Sequence, residues 1–293
     1  MSVRSPPVDE LAPIVCLTGT TACGKTSVSV GIAQALAVEV VCADSRTLYR
    51  ELSIGATKAT PEEQAACPHH LIDVLDLHET WTVDDFVAAA EEAIAGINGR
   101  GALPLVVGGS RLYVEALCFE LERVPMTPLG RAMLASSSAY ALRREYARSG
   151  TMMPLWWRDR DVLARVLATN RVRGRGAPRR NALILAVGPF GAAEIETRVR
   201  SRADEILGGG SEAETAAICA RYGCLADDLN SVCYKEWQPV WTGEETREQA
   251  VETMIQHTLY HTARQQAWLD SVPGLVWVHD SDDALDAIGT WRR

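Results

Sequence analysis

The chain has 293 residues, of which 47% are hydrophobic and 23% charged, and its formal net charge is −9. This composition is typical of one large or two modest globular domains and is too apolar for a disordered protein. The longest apolar runs are far shorter than the ~20 residues that cross a bilayer, and the first residues lack the apolar segment of a secretory signal. We therefore expect a cytoplasmic, globular protein that has no contact with a membrane.

Cysteine and arginine usage constrain the class of protein further. None of the eight cysteines forms a C-x-x-C pair, so we expect reduced thiols and no zinc site. A negative net charge argues weakly against nucleic-acid binding, which depends on lysine and arginine. Many arginines nevertheless lie between residues 143 and 202, so the charge is segregated along the chain and a nucleic-acid partner is not excluded.

The first 120 or so residues alternate between strand and helix patterns. Short β-branched apolar runs predict strands, and apolar residues at helical spacing predict helices. The predicted order is strand 13–18, helix 27–37, strand 38–43, helix 82–97 with Thr82 as its N-cap, and strand Leu103–Val107. This alternation predicts an α/β fold in which a parallel sheet is flanked by helices.

The second half of the chain has a mainly helical pattern. Helices are predicted at 129–148, 160–172, 193–207 and 245–269, with a basic loop at 174–180 and one more strand at 181–187. We therefore expect a smaller helical subdomain inserted into the sheet domain. The predicted boundaries are a flexible N-terminal tail at 1–12, a P-loop α/β core at 13–125, a shortened helical insertion at 126–180, and a return to the core at 181–293.

Residues 19–26 match the phosphate-binding pattern G-x-x-x-x-G-K-[ST] at every required position, between a predicted strand and a predicted helix. The glycines let backbone N–H groups surround phosphate oxygens at the helix N-terminus, and the lysine adds a positive charge. The threonine hydroxyl is placed to ligate Mg²⁺. We predict a diphosphate or triphosphate site formed by Gly19, Ala22, Cys23, Gly24, Lys25 and Thr26, with Thr26 as the metal ligand.

One carboxylate is expected close to this loop. Enzymes that hydrolyse nucleotides usually carry an acidic residue that helps to hold Mg²⁺, but here the third strand runs into Gly108-Gly109-Ser110. Asp44 instead follows the second strand. A carboxylate at the C-terminal end of a strand, beside bound phosphates, can ligate a metal or act as a base.

Five segments taken together resemble the tRNA dimethylallyltransferases. They are residues 19–26, 44–50 (DSRTLYR), 54–58 (IGATK), 68–73 (PHHLID) and 107–113 (VGGSRLY). The resemblance continues more faintly through Arg198 and Arg202, the segment 232–236 (VCYKE) and the helix that contains residues 258–268. It covers most of the chain and is stronger in the first half.

The resemblance implies a reaction and a role for several residues. A dimethylallyl group would pass from dimethylallyl diphosphate to N6 of an adenine in the anticodon loop of tRNA, with Mg²⁺ bound beside the leaving diphosphate. Asp44 would be the general base, Thr21 would lie near the bridging oxygen, and Arg202 would bind the diphosphate. The acceptor would contact Ser45, Arg46, Thr57, Lys58, Ser110, Tyr113 and Trp237.

Departures from the family pattern bear on the acceptor. Two of three cations expected on the C-terminal helix are replaced by Leu259 and Ala263, and the helical insertion is short. Lost phosphate contacts matter for a polyanion and hardly at all for a small neutral acceptor. We therefore favour a small aromatic acceptor, a purine or an indole-like metabolite, slightly over tRNA. If tRNA is the acceptor, the arginines of 143–180 would bind it in place of the lost cations. A small-molecule kinase or NTPase is a minor alternative, and a non-catalytic tRNA-binding protein is less favoured still.

Overall fold

The computed structural model describes residues 11–77, 79, 81–123, 172–222 and 231–293. Its first half alternates strands and helices as the sequence predicts. The strands are β1 (Ile14–Gly19), β2 (Val38–Cys42), β3 (His69–His70), β4 (Leu103–Val107) and β5 (Phe119–Arg123). The helices are α1 (Lys25–Ala35), α2 (Pro61–Ala66), α3 (Val83–Gly99) and α4 (Arg111–Cys118).

The later described residues add three strands and five helices. The strands are β6 (Val172–Pro178), β7 (Ala182–Val187) and β8 (Val276–Val278). The helices are α5 (Ala192–Gly208), α6 (Ser211–Tyr222), α7 (Gln238–Trp241), α8 (Arg247–Leu269) and α9 (Ser281–Trp291), with a short 3₁₀ helix at Lys235–Trp237.

Six strands form one parallel sheet in the order β3-β2-β4-β1-β7-β8. Strands of an all-parallel sheet are covered on both faces, and β1 shows this directly. Ile14 and Cys16 pack into one hydrophobic cluster with α3 and α4, whereas Val15 and Leu17 pack into a second cluster with α1 and α9. The predicted α/β fold is confirmed.

The parallel arrangement brings the C-terminal ends of the strands to one edge. Gly19 at the end of β1 pairs with Val187 at the end of β7, and Leu17 pairs with Val107 at the end of β4. The amide of Ala43, just after β2, donates to the carbonyl of Val107 at 2.8 Å. Ligands of open α/β sheets bind at this edge, and both the phosphate loop and Asp44 lie there.

Several element boundaries shift from the predicted ones. The predicted helices at 27–37, 193–207 and 245–269 are confirmed with ends displaced by up to two residues, and Thr82 caps α3 in a reciprocal pair with Asp85. The predicted basic loop at 174–180 is wrong, because residues 172–178 form β6, which pairs antiparallel with β5. Two glycines and a proline suggested a loop, but the pairing with β5 satisfies the backbone of this segment.

Other predictions fall partly or wholly outside the described residues. These are the predicted helices at 129–148 and 160–172, and most of the predicted tail and insertion. The domain boundaries therefore stay predictions. Among the described helices, none combines the length and apolarity of a transmembrane span.

Candidate active site

The phosphate loop leads from β1 directly into α1. Gly19 and Gly24 have φ angles of +148° and +98°, which L side chains rarely adopt, and a Cβ at position 19 would lie 2.6 Å from the Cys23 Sγ. The Lys25 Nζ donates to the carbonyls of Gly19 and Thr20 at 3.1 and 2.8 Å. The ammonium group is thus held inside the loop, at the N-terminus of α1, where a phosphate group is favoured.

Asp44 lies beside this loop at the end of β2. Its Oδ1 accepts a hydrogen bond from the backbone N–H of Arg46 at 2.9 Å, and its side chain is 29% exposed. Burial disfavours the charged form of Arg46, but Asp44, Cys233 and Tyr234 outweigh it and raise the pKa of the guanidinium. Asp44 therefore has a fixed, cationic neighbour and an open side that faces the cavity.

A cavity of about 460 Å³ opens in front of the loop and Asp44. Its walls come from separate parts of the fold: the strand ends, the loop with Gly55 and Thr57, the N-terminus of α4, one side of α5, the segment 231–235, and one side of α8. Apolar side chains cover part of the α5 and α8 walls, namely Val199, Ala203, Ile206 and Met254. The cavity can therefore hold a charged group at the loop and a hydrocarbon group beside it.

The charge of the cavity is opposite to that of the chain. Six cationic residues line it, against two acidic ones, Asp44 and Glu115, although the whole chain carries −9. The cations are Lys25, Arg46, Arg111, Arg202, Lys235 and Arg264. A cleft with a concentrated positive charge attracts anions, so the site suits a diphosphate and further phosphate groups.

Helix α8 forms one wall of the cavity and is hydrogen-bonded to the phosphate loop. The Oε1 of Gln265 accepts from the backbone N–H of Thr21 at 2.8 Å and from its hydroxyl at 3.2 Å. The Nε2 of Gln265 donates to the carbonyl of Gly109 at 3.3 Å. One side chain thereby connects α8, the loop after β1 and the segment after β4.

A buried carboxylate fastens the same helix to α4 and β6. Glu115 is only 1% exposed and accepts from the indole Nε1 of Trp268 at 2.9 Å. Its Oε1 also lies 3.2 Å from the Nε of Arg111 and 3.3 Å from the Nε of Arg175. Arg175 further donates to the carbonyl and hydroxyl of Ser271, just past the end of α8. This network connects the cavity wall to the strand that follows residues 124–171.

Most predicted site residues meet at this cavity. Thr21, Lys25, Asp44, Ser45, Arg46, Thr57, Ser110 and Arg202 all line it. Gly19, Ala22, Cys23, Gly24 and Thr26 belong to the phosphate loop or to the start of α1. The guanidinium of Arg202 pairs with Glu205 one turn along α5 at 2.6 Å.

Three residues predicted to contact the acceptor do not line the cavity. Lys58 is nearly buried and pairs with Asp73, while its Nζ also donates to the carbonyl of Tyr49 at 2.9 Å. Tyr113 is buried with its ring stacked on Phe86, the ring centroids 3.8 Å apart. Trp237 is fully buried in the core. The structure places these three side chains in the interior next to the site, and their contact with the acceptor stays a prediction.

The sequence predictions missed several residues of α8. Met254, Thr258, His261, Gln265 and Trp268 all line the cavity at spacings of three or four residues, which place side chains on one face of a helix. That spacing was visible in the sequence. Glu115 and Lys235, which line the same cavity from distant segments, gave no such signal, whereas Arg46 was predicted from its own segment.

No group of three or more histidine, cysteine, aspartate or glutamate side chains close enough to hold a metal occurs among the described residues. Magnesium is commonly held by one or two protein oxygens together with substrate phosphates. The hydroxyl of Thr26 and the carboxylate of Asp44 are donors of this kind, and both flank the phosphate loop. The donor set is therefore compatible with Mg²⁺ bound to a diphosphate.

These features define a class first: an α/β protein of the P-loop type with an aspartate beside its phosphate loop. A family model described as IPP transferase matches residues 47–271, and one described as isopentenyl transferase matches residues 12–80. The first match covers more than half of the chain. The chain belongs to the tRNA isopentenyltransferase family, and it is a dimethylallyltransferase.

Individual relatives agree with this assignment. A protein named tRNA dimethylallyltransferase from Anaeromyxobacter dehalogenans (strain 2CP-C) is 34% identical, the match covering 90% of this chain and 94% of the relative. One of the same name from Leuconostoc citreum (strain KM20) is 33% identical, with coverage of 94% and 96%. The crystal structure of a tRNA isopentenylpyrophosphate transferase from Bacillus halodurans superposes with a TM-score of 0.69 at 27% identity, covering 96% and 94%.

Proposed function

We propose that this enzyme transfers the dimethylallyl group of dimethylallyl diphosphate to N6 of an adenosine in the anticodon loop of tRNA. The observation that carries the proposal is the joint placement of the phosphate loop, Asp44 and a strongly cationic cavity. The alternative of a small-molecule kinase uses the same loop, but relatives that match nearly the whole chain are named tRNA dimethylallyltransferase.

The donor would bind with its diphosphate in the phosphate loop. Breaking the bond between the allylic carbon and the bridging oxygen leaves negative charge on the diphosphate and cationic character on the carbon. Donors that are already oriented toward that negative charge lower the barrier. Lys25, the loop amides and Arg202 are such donors, and Thr21 would hydrogen-bond near the bridging oxygen.

The acceptor nitrogen would form the new bond to the allylic carbon as the diphosphate leaves. Its N–H proton would pass to Asp44, whose carboxylate faces the cavity with Arg46 on its other side. Proton abstraction by a positioned base contributes roughly 10²–10⁴-fold to rate. Mg²⁺, held by the diphosphate with the Thr26 hydroxyl, would supply further positive charge to the leaving group.

The relatives favour tRNA over the small aromatic acceptor that we expected from the loss of two cations on the C-terminal helix. Relatives that cover 90% or more of the chain are named for tRNA, and no finding supports a small acceptor. The cavity also holds Lys235 and Arg264, neither of which has an ion-pair partner among the described residues. These cations can meet backbone phosphates, so the loss of two cations at Leu259 and Ala263 is partly offset. A tRNA acceptor would place the enzyme in the cytoplasm.

The test is transfer from labelled dimethylallyl diphosphate to unmodified tRNA, with free nucleosides and indoles in a parallel reaction. We expect label in an anticodon-loop adenosine and release of diphosphate. Asp44→Asn should lower the rate by about 10²–10⁴-fold while donor binding persists. Asp270→Asn is the matched control, because Asp270 is exposed at the end of α8 and accepts only from Gln266.

Two results would contradict the proposal. Label found only in a nucleoside or an indole would restore the small-acceptor hypothesis. An Asp44→Asn enzyme with the wild-type rate would show that another group removes the proton.

A further inference from the structure

One polar side chain in the cavity has no role in the proposed reaction so far. His261 lies on the cavity-facing side of α8, one turn before Gln265 and one turn after Thr258. Three of its polar neighbours on that side are engaged: Thr258 bonds to the carbonyl of Met254, Gln265 to the phosphate loop, and Trp268 to Glu115. The fourth, Arg264, is a cation that lines the same cavity. The imidazole is exposed to the cavity and has no hydrogen-bond partner in the described part of the chain.

The two turns of α8 that follow this imidazole are held in place. Gln265 holds the following turn against Thr21 and Gly109, and Trp268 holds the turn after that against Glu115. A polar side chain that has no hydrogen-bond partner and lies on a helix held in place is preorganised to bind a ligand.

The surroundings keep His261 uncharged. Partial desolvation by the cavity walls and the nearby Arg46, Arg264 and Lys25 lower the pKa of His261 to about 4, although Asp44 opposes them. Near neutral pH the ring therefore carries one N–H donor and one acceptor nitrogen. A neutral ring can lie beside the developing allylic cation without repelling it, and it can donate a hydrogen bond to another uncharged ring.

We propose that His261 is a further acceptor-binding residue, whose imidazole N–H donates a hydrogen bond to a ring nitrogen of the adenine while Asp44 receives the proton from N6. This inference rests on the proposed function, since it requires a heterocyclic acceptor with a basic ring nitrogen. Two contacts at different edges of the base would set its orientation, so that N6 faces the allylic carbon. His261 then selects the acceptor and leaves the diphosphate untouched.

The experiment measures steady-state transfer to an anticodon stem-loop RNA by the wild type, His261→Phe and His261→Gln. Removing one hydrogen bond between neutral groups should lower kcat/KM for the RNA about tenfold in His261→Phe. KM for dimethylallyl diphosphate should stay unchanged. His261→Gln keeps an N–H donor and should remain within about threefold of the wild type. His279→Phe, the same change at an exposed position outside the cavity, is the control.

RNAs with 1-deazaadenosine or 7-deazaadenosine at the target position test the contact itself. The analogue that lacks the contacted nitrogen should cost the wild type about tenfold and cost His261→Phe nothing further, because the same bond is already lost. Any one of three results would overturn this inference and leave the proposed function intact. They are an unchanged kcat/KM in His261→Phe, an equal loss of kcat/KM in His261→Phe with the adenosine, 1-deazaadenosine and 7-deazaadenosine RNAs, and a raised KM for dimethylallyl diphosphate. If the wild type transfers nothing to any RNA, the tRNA substrate fails and the inference fails with it.

Discussion

Single glycines determine how closely the ends of β2 and β4 approach each other. A Cβ placed on Gly108 would lie 2.1 Å from the carbonyl oxygen of Ala43, the residue before Asp44. The amide of Ser110 also donates to this carbonyl, at 3.2 Å. The close approach brings Asp44 and Ser110 to the same cavity. The distance between these two residues therefore depends on the absence of a methyl group at position 108.

We predict that Gly108→Ala lowers the free energy of unfolding by at least ~1–3 kcal/mol, because the new methyl meets rigid backbone instead of a movable side chain. Urea denaturation measures this difference as a shift of the midpoint at constant m-value. Gly99→Ala is the matched control: a Cβ there meets nothing within 4 Å, and alanine is a better helix former than glycine by roughly 1 kcal/mol. Equal stability of the two variants would contradict the close approach.

At the scale of elements, a buried carboxylate joins β2 to its neighbours at the edge of the sheet opposite the site. Glu39, at the start of β2, accepts from Arg100 at the end of α3 at 2.7 and 2.8 Å. It also lies 2.7 Å from the Nε2 of His70 on β3. The hydrogen bonds from Arg100, helped by His70 and opposed by burial, lower the pKa of Glu39 to about 2.

This lowered pKa predicts a pH-dependent stability. The contribution of Glu39 is fully present above its unfolded-state pKa of about 4.3, and it is lost as the pH falls toward 2. Glu39→Gln should therefore lower the free energy of unfolding by roughly 1–2 kcal/mol at pH 7, a value kept small because Arg100 is half exposed. The difference between variant and wild type should shrink as the pH is lowered through about 4 to 3.

Chemical denaturation at several pH values provides the measurement. Glu92→Gln is the control, since Glu92 is exposed on α3 and should leave the profile unaltered. A stability difference that stays constant down to pH 3 would mean that Glu39 does not act through its charge.

For the whole molecule, the important contrast is between a chain of net charge −9 and a cavity with six cations. If tRNA is the acceptor, as proposed, the local positive field of the cavity would attract it there in spite of the negative net charge of the chain. Arg264 lines this cleft on α8. Each phosphate contact contributes about one unit to the slope of log affinity against log salt concentration.

We predict that Arg264→Gln weakens tRNA binding to a similar extent for all sequences and reduces the salt slope by about 1. Binding is measured by fluorescence anisotropy of labelled tRNA between about 50 and 200 mM salt. Arg198→Gln is the control, because Arg198 lies outside the cavity and pairs with Glu194 at 3.0 Å. An unchanged slope in Arg264→Gln would remove this helix from the tRNA-binding surface.

The accuracy of the structure predicted from the sequence depends on whether the predictive pattern lies within one short segment of the chain. The strands Ile14–Gly19 and Leu103–Val107 and the capped helix α3 follow from continuous apolar runs and a capping residue, and the structure confirms them. The phosphate loop is equally local, because its pattern names each position. Residues 174–180 were predicted incorrectly, since their strand exists only through pairing with β5.

The acceptor side of the site shows the same limit. Tyr113 belongs to a segment that resembles the family and Trp237 directly follows another, but the structure buries both. His261 belongs to no sequence motif, and its helical spacing with Thr258 and Gln265 places it on one face of α8 without showing what that face meets. It faces the cavity because α8 is held in place by Gln265 and Trp268. Whether an aromatic or polar side chain meets a ligand is decided by packing against residues far away in the chain.

The sequence by itself therefore determined the fold class, the phosphate loop and the presence of a carboxylate beside it, because periodicity and motif spacing are properties of neighbouring residues. Only the tertiary structure decided which side chains meet in one cavity and what charge that cavity has. Six cations from separate segments converge there in a chain that is acidic as a whole. Net charge is a sum over the chain, whereas binding depends on the local field that folding creates.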